Sequence, residues 1–394
     1  MTNAGPAVTA TTLLAEAELP VAGLYRRHPE HNLSSIAAAI TTCYEGTGPV
    51  RLGPGRGLAV IAVDGLGYAR AAAALNPDSL VPLTSEFPTT TIACLLTSVT
   101  GQRTDSHGFI GVQYLYEDGI HAVNCHDGQL IAPLAPARSG PATSARPTSA
   151  PCLETVFDAL AGRGVSSTVL PNELDCLHRD VRGRLLHGAG RVVPAMPPHD
   201  NPLTMLAAFT DQLTSAVAAT PRGLTWAYLD LDTHHHRHGF DAELRAAAAE
   251  LDRLAGRLRA DGTSVLIFSD HGLTPNRPSQ DTLAAWDEAT SERWCRLPAG
   301  GAGRTRWLYP QPPHEDRLAA RLAAQLSDAV VIGHEQLASW DLAKDGSTGQ
   351  RRLGEIVLLA RGGDFPAPDA TTQYEHGSMT ADEVLVPMAI WSAG

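Results

Sequence analysis

The sequence predicts an α/β fold, a largely parallel central sheet with helices on both faces, and three observations carry that expectation. Short β-branched, apolar runs alternate with Ala/Leu-rich helical stretches along the chain. The runs are near-continuously apolar, as parallel strands covered on both faces must be. Several of them end in aspartate, at the sheet edge where open α/β folds keep their sites.

The expected strands are Leu58–Val63, Ser166–Leu170, Thr225–Leu229, Ser264–Phe268 and Glu355–Leu359. One helix carries Leu206, Phe209, Leu213 and Val217 on a single face. Another runs from about Asp241 to Ala260, with Leu244, Leu251, Leu254 and Leu258 at helical spacing. The stretch Ile131–Pro151 is crowded with Pro, Ala, Ser and Gly and reads as an irregular surface excursion. Residues 1–25 read as an N-terminal extension and 26–394 as one catalytic domain, with 276–372 inserted as a subdomain.

Hydrophobic residues make up 43% of the 394, ample for a packed core. A net charge of −12 excludes a basic footprint for a nucleic-acid polymer. The start lacks the basic residues of a secretory signal, and no apolar run approaches membrane-spanning length. Cys43, Cys94, Cys125, Cys152, Cys176 and Cys295 lie far apart with no CxxC pair, the pattern of reduced thiols, so a cytoplasmic setting is expected.

Four motifs carry chemistry. Leu58–Val63 runs into Asp64–Gly65–Leu66–Gly67, placing a carboxylate beside a sharp turn; alone this reads more readily as a turn aspartate. Phe87–Pro88–Thr89–Thr90–Thr91 opens a helix, and Ser106–His107–Gly108 follows. A hydroxyl at a helix start sits among free N–H groups that favour a phosphate, although threonines there also serve as caps. In Tyr228–Leu229–Asp230–Leu231–Asp232–Thr233–His234–His235–His236–Arg237–His238 a strand runs into carboxylates and four imidazoles, a donor set suited to Zn²⁺ or another first-row ion; a solvated His-rich loop is the alternative. Val265–Phe268 delivers Asp270–His271, and Glu375–His376–Gly377–Ser378–Met379 lies near the C-terminus. Carboxylates converging on one edge would repel unless cations neutralised them.

From Leu58 to Trp391, that ordered set resembles the type I phosphodiesterase/nucleotide pyrophosphatase branch of the alkaline-phosphatase superfamily, in its bacterial members particularly. The resemblance implies an alkaline-phosphatase-like three-layer sandwich with an inserted α+β subdomain. It implies one divalent metal bound by Asp64, Thr91, Asp270 and His271, and a second by Asp232, His236 and His376. The ions would be Zn²⁺, with Mn²⁺ or another first-row ion as alternatives. Thr91 is the implied nucleophile, the fourth residue counted from Pro88. Where such phosphodiesterases carry an asparagine three residues on, this chain has Cys94, a poor donor. Cys94 and His107 are therefore expected near the substrate.

The implied reaction is hydrolysis of a small phosphoester or phosphodiester through a phospho-threonine. A phosphomonoesterase or a phosphonate hydrolase on the same core is the rival. Phosphoglycerate mutases of this core use serine and an Asp-Gly motif at the extreme N-terminus, and sulfatases need a C/S-x-P-x-R frame, so neither fits. A non-catalytic metal store is the reading from another class, and Thr91 speaks against it. Leaving group and oligomeric state are not legible.

Overall fold

In the computed structural model, residues 8–116, 119–122, 130–133, 153–177, 179–197, 199, 201–367 and 372–394 are described. The central sheet has seven strands: β1 Leu58–Asp64, β2 Ser79–Thr84, β3 Ser167–Leu170, β4 Arg191–Val192, β5 Leu224–Asp230, β6 Ser264–Ser269 and β7 Leu385–Trp391. Their spatial order is β2-β7-β6-β1-β5-β3-β4. The five strands from β6 to β4 pair in parallel, and β7 runs antiparallel to both its neighbours.

Each residue of β1 is buried. Leu58, Val60 and Ala62 face one core and Ala59, Ile61 and Val63 the other, the period-2 alternation of a strand covered on both sides. On one side lie the helices Pro202–Ala219 and Ala242–Ala260. Asn201 caps the first, accepting from the N–H groups of Leu203 and Thr204, and Asp241 caps the second, accepting from Leu244. Leu206, Phe209 and Leu213 of one and Leu244, Leu251, Leu254 and Leu258 of the other are buried, each contributing about 1.5–3 kcal/mol. Val217, expected on the same face, is half-buried. Helices Ser35–Tyr44, Thr91–Thr100 and Val156–Ala161 cover the opposite side.

A second sheet of seven strands is antiparallel throughout. Its order is Ala329–Ile332, Ile356–Ala360, Thr305–Pro310, Cys295–Ala302, Gln113–Tyr116, Gly119–Ala122 and Leu130–Pro133. The strand expected at Glu355–Leu359 in the parallel sheet is therefore here instead. It is buried on both faces because Val357 and Leu359 pack on the main core while Ile356 and Leu358 pack under the helices Gln280–Ala289 and Glu315–Gln325. Apolar continuity reports burial, not strand direction. Four strands of this sheet fall within 276–372 and three come from 113–133, so the start of the expected irregular excursion is a strand. Residues 134–151 of that excursion lie outside the described residues. Among the described residues no helix is long and apolar enough to cross a membrane.

Candidate active site

Register brings the acidic residues together. β1 and β5 pair Asp64 with Asp230, and β1 and β6 pair Val63 with Ser269, so Asp270 follows at the same edge. Gly65 turns away at φ +74°, where a Cβ would stand 2.9 Å from Asp232 Oδ1; only glycine fits. Asp230 accepts from the Thr233 N–H at 2.9 Å and hydroxyl at 2.7 Å, which starts the short helix Asp232–His238. One helical turn then places His236 Nε2 2.9 Å from Asp232 Oδ2.

Thr91 is the first residue of its helix, and its neighbour Thr90 makes no capping bond. Thr91 Oγ1 donates to Asp64 Oδ2 at 3.2 Å and lies 3.3 Å from His271 Nε2. The His271 Nε2 is 3.3 Å from Asp64 Oδ1 and 3.5 Å from Asp270 Oδ2. Its ring stacks on His376, centroids 3.7 Å apart. The Tyr228 hydroxyl donates a short hydrogen bond to Asp64 Oδ2.

Two groups of donor atoms result, Asp64–Asp232–His271 and Asp232–His236–His376, each with its atoms within 4.8 Å of one another and both sharing Asp232. The imidazoles of the second group are oriented from behind: His236 Nδ1 lies 2.7 Å from the Tyr374 carbonyl and His376 Nδ1 2.7 Å from that of Thr89. Each Nδ1–H donates there, which turns Nε2 inward as the atom that would bind a metal on losing its proton, the usual arrangement behind a metal-binding imidazole. Asp64 Oδ1, Asp232 Oδ1 and Asp270 Oδ2 are buried with no hydrogen-bond partner, a cost that a cation would relieve. Carboxylate oxygens and imidazole nitrogens in these proportions fit first-row divalent ions.

The electrostatics agree. Burial, then the nearby charge of Asp270, holds Asp64 well above the carboxylate range. Burial and Asp232 push Asp270 up to about 7. Burial works against ionised Asp232 as well, but His236 and His376 outweigh it and keep the carboxyl below its ordinary range. His236, although buried, is raised to about 10 by Asp232. Burial, then His376, drives His271 well below its usual value. One carboxylate is thus balanced by imidazolium while the other two favour protonation, the response of carboxylates crowded at one buried point.

A cleft of about 370 Å³ opens onto Thr90, Thr91, Asp232, His236, Glu375 and His376. Of the sequence-selected residues, Asp64, Thr91, Asp232, His236, Asp270, His271 and His376 meet here. Cys94 and His107 do not, which corrects their expected place near substrate. Cys94 sits on the buried side of the Thr91 helix, Sγ 3.1 Å from Ser85 Oγ. His107 is buried with Nε2 3.2 Å from Thr97 Oγ1, and burial lowers its pKa to about 3. Three residues from the helix start, Cys94 has turned from the cleft toward the sheet. Of the neighbouring imidazoles, His234 lies 3.1 Å from Asp241 Oδ2, His235 faces the Gly65 carbonyl and His238 packs on His234. Tyr228 and Glu375 were not singled out by chemistry, yet one bonds Asp64 and the other accepts from the His376 N–H at 3.1 Å. Their signal was position, two residues before Asp230 and one before His376.

Residues 72–380 match the profile of the type I phosphodiesterase / nucleotide pyrophosphatase family. The chain belongs to that family. It is accordingly an enzyme, a hydrolase of phosphoric esters within the alkaline-phosphatase superfamily. Murine ectonucleotide pyrophosphatase / phosphodiesterase 5 superposes with TM-score 0.56 at 15% identity, over 85% of this chain and 88% of that one. Phosphonoacetate hydrolase from Sinorhizobium meliloti 1021, in complex with phosphonoformate, does so with TM-score 0.59 at 18% identity, over 86% and 90%. These likenesses establish the shared fold. No curated protein matches the chain in sequence.

Proposed function

We propose that this family member cleaves phosphodiester or pyrophosphate bonds through a covalent phospho-threonine on Thr91, at a site for two divalent cations. The observation that carries this reading is Thr91 Oγ1 at a helix start, 3.2 Å from Asp64 and 3.3 Å from His271, beside two donor groups that share Asp232. Asp64, Thr91, Asp270 and His271 would hold one ion, and Asp232, His236 and His376 the other, Zn²⁺ suiting both donor sets. Such a pair of ions, once bound, favours the threonine alkoxide and neutralises charge on the phosphoryl oxygens.

The chain's own residues do the rest. Asp64 Oδ2 holds the Thr91 hydroxyl hydrogen before attack. Thr91 Oγ1 bonds to phosphorus as the bond to the leaving oxygen breaks, and the first N–H groups of the Thr91–Thr100 helix face the phosphoryl oxygens. The Thr91 proton is released toward the leaving oxygen; water then attacks the phospho-threonine, the Oγ1–P bond breaks, and a proton from that water returns to Thr91 Oγ1. Asp270 accepts from the Gly65 and His271 N–H groups, which fixes its carboxylate against β1. Support for the threonine comes from the murine neighbour, whose inactive threonine-to-alanine variant was solved with AMP. The small cleft and the phosphonoacetate hydrolase neighbour favour hydrolysis of a phosphonate as the second reading. Among the described residues Cys43, Cys94, Cys176 and Cys295 are free thiols, which supports the reading of a reducing, cytoplasmic setting.

The test is a Zn²⁺-loaded screen of bis-(p-nitrophenyl) phosphate, p-nitrophenyl phosphate, pyrophosphate esters and phosphonates, with acid quenching and peptide mass analysis. Phosphate on the peptide holding Thr91 is expected. Turnover without that adduct, under quenching that preserves phospho-threonine, would overturn the covalent route.

A further inference from the structure

We infer that Arg237 forms a subsite for a second anionic group, so that the substrate is a compact phosphorus compound bearing another phosphate or a carboxylate, and its base or organic group is not read. The inference rests on the function proposed above and deepens it. Asp232, Thr233, His236 and Arg237 lie on two successive i, i+4 stripes of one short helix, and all four line the cleft. Asp232 and His236 turn toward the donor groups. The Thr233 hydroxyl is spent on Asp230. Arg237 is exposed; among the described residues it makes no ion pair, hydrogen bond or ring contact, and it is the one Lys or Arg of those that line the cleft.

The cleft is also lined by Ile92, Gly111 and Val112, whose side chains donate nothing. Among the described lining residues, a second anion placed beside the reacting phosphorus therefore meets one charged donor, Arg237, whose planar fork suits a carboxylate or phosphate in bidentate contact. No Phe, Tyr or Trp is among the described lining residues, and the undescribed segments contain none in their sequence. A flat face on which a nucleobase could stack is thus missing from this lining.

The experiment is calorimetric titration of the Zn²⁺-loaded protein with phosphonoacetate and with ethylphosphonate, which lacks the carboxylate. Phosphonoacetate is expected to bind at least about tenfold more tightly, Arg237→Ala to bring the two within about twofold, and Arg237→Lys to keep part of the difference. AMP and ribose 5-phosphate are expected to bind within about threefold of one another. No measurable phosphonoacetate binding, an unchanged preference in Arg237→Ala, or AMP binding tenfold tighter than ribose 5-phosphate would each overturn the subsite. Because binding is read without turnover, a wild type showing these ratios but hydrolysing no ester would sink the hydrolase reading and leave Arg237 standing. Turnover without the ratios would do the reverse.

Discussion

Thr91 and Tyr228 both bond to Asp64 Oδ2, but on the proposed route they differ in kind, because one is consumed in the reaction and the other only steadies its partner. Thr91→Ala removes the attacking oxygen, so kcat should fall by roughly 10³-fold or more while melting temperature stays within a degree or two, the side chain being small and half-buried at a helix start. Near-normal turnover by that variant would remove Thr91 from the mechanism. Tyr228→Phe leaves the ring packed and deletes one donor to a buried carboxylate. A loss of about 10–100-fold in activity or in Zn²⁺ affinity is expected, read by turnover and by competition with a chelator. A variant matching wild type in both would mean that the short contact to Asp64 is only a packing consequence.

At the scale of elements, His376 depends on a close crossing of backbones. Gly377 has φ +117°, and a Cβ there would stand 1.7 Å from the Ala302 carbonyl oxygen. The Gly377 N–H donates to Thr89 Oγ1 at 2.9 Å, and the Arg304 N–H to the His376 carbonyl at 2.6 Å. Buried Arg304 also pairs with Glu383 at 3.2 Å, whose carboxylate accepts from the Ser378 N–H. Gly377→Ala should cost about 1–3 kcal/mol from the φ alone, more from the clash, and lower bound metal by about one equivalent as His376 is displaced. Denaturant unfolding and elemental analysis check both; unchanged stoichiometry would separate His376 from metal binding. The elements that deliver the site were legible because each is local: β1, β5 and β6 are largely apolar runs that lead into Asp64, Asp230 and Ser269–Asp270, while among four neighbouring imidazoles only the family resemblance singled out His236. Cys94 was misplaced because sequence gives its distance from Thr91 along the chain but not the side of the helix that the sheet covers. The Ile356–Ala360 strand was assigned to the wrong sheet because two-sided burial looks the same in parallel and antiparallel partners. Arg304, Glu383 and the crossing of Gly377 over Ala302 join segments far apart in sequence, and no local pattern announces them.

For the whole molecule, the concentration of buried charge at one edge of the sheet makes stability depend on pH and on cations together. Asp270, raised to about 7 by burial and Asp232, binds a proton in the folded protein that its unfolded counterpart sheds near the ordinary value of 3.8. Its contribution is therefore complete below that lower value and is lost as pH rises toward 7. His236, raised to about 10 by Asp232 against the effect of burial, stabilises fully below 6.5 and loses that contribution as pH climbs to 10. Asp232, depressed chiefly by His236, has the opposite sense, but its contribution is present above 3.8 and disappears only in acid. Metal-stripped protein should consequently melt at lower temperature near pH 9 than near pH 6. Divalent ions need Asp270 as carboxylate and His236 as neutral imidazole, so their binding releases protons and strengthens over that same interval. Added Zn²⁺ is thus expected to raise the melting temperature more at pH 9 than at pH 6, with measurable proton release into weakly buffered solution. A stripped protein that gains stability with rising pH, or a Zn²⁺ increment that ignores pH, would mean that these carboxylates and imidazoles are not sharing protons and cations at one place.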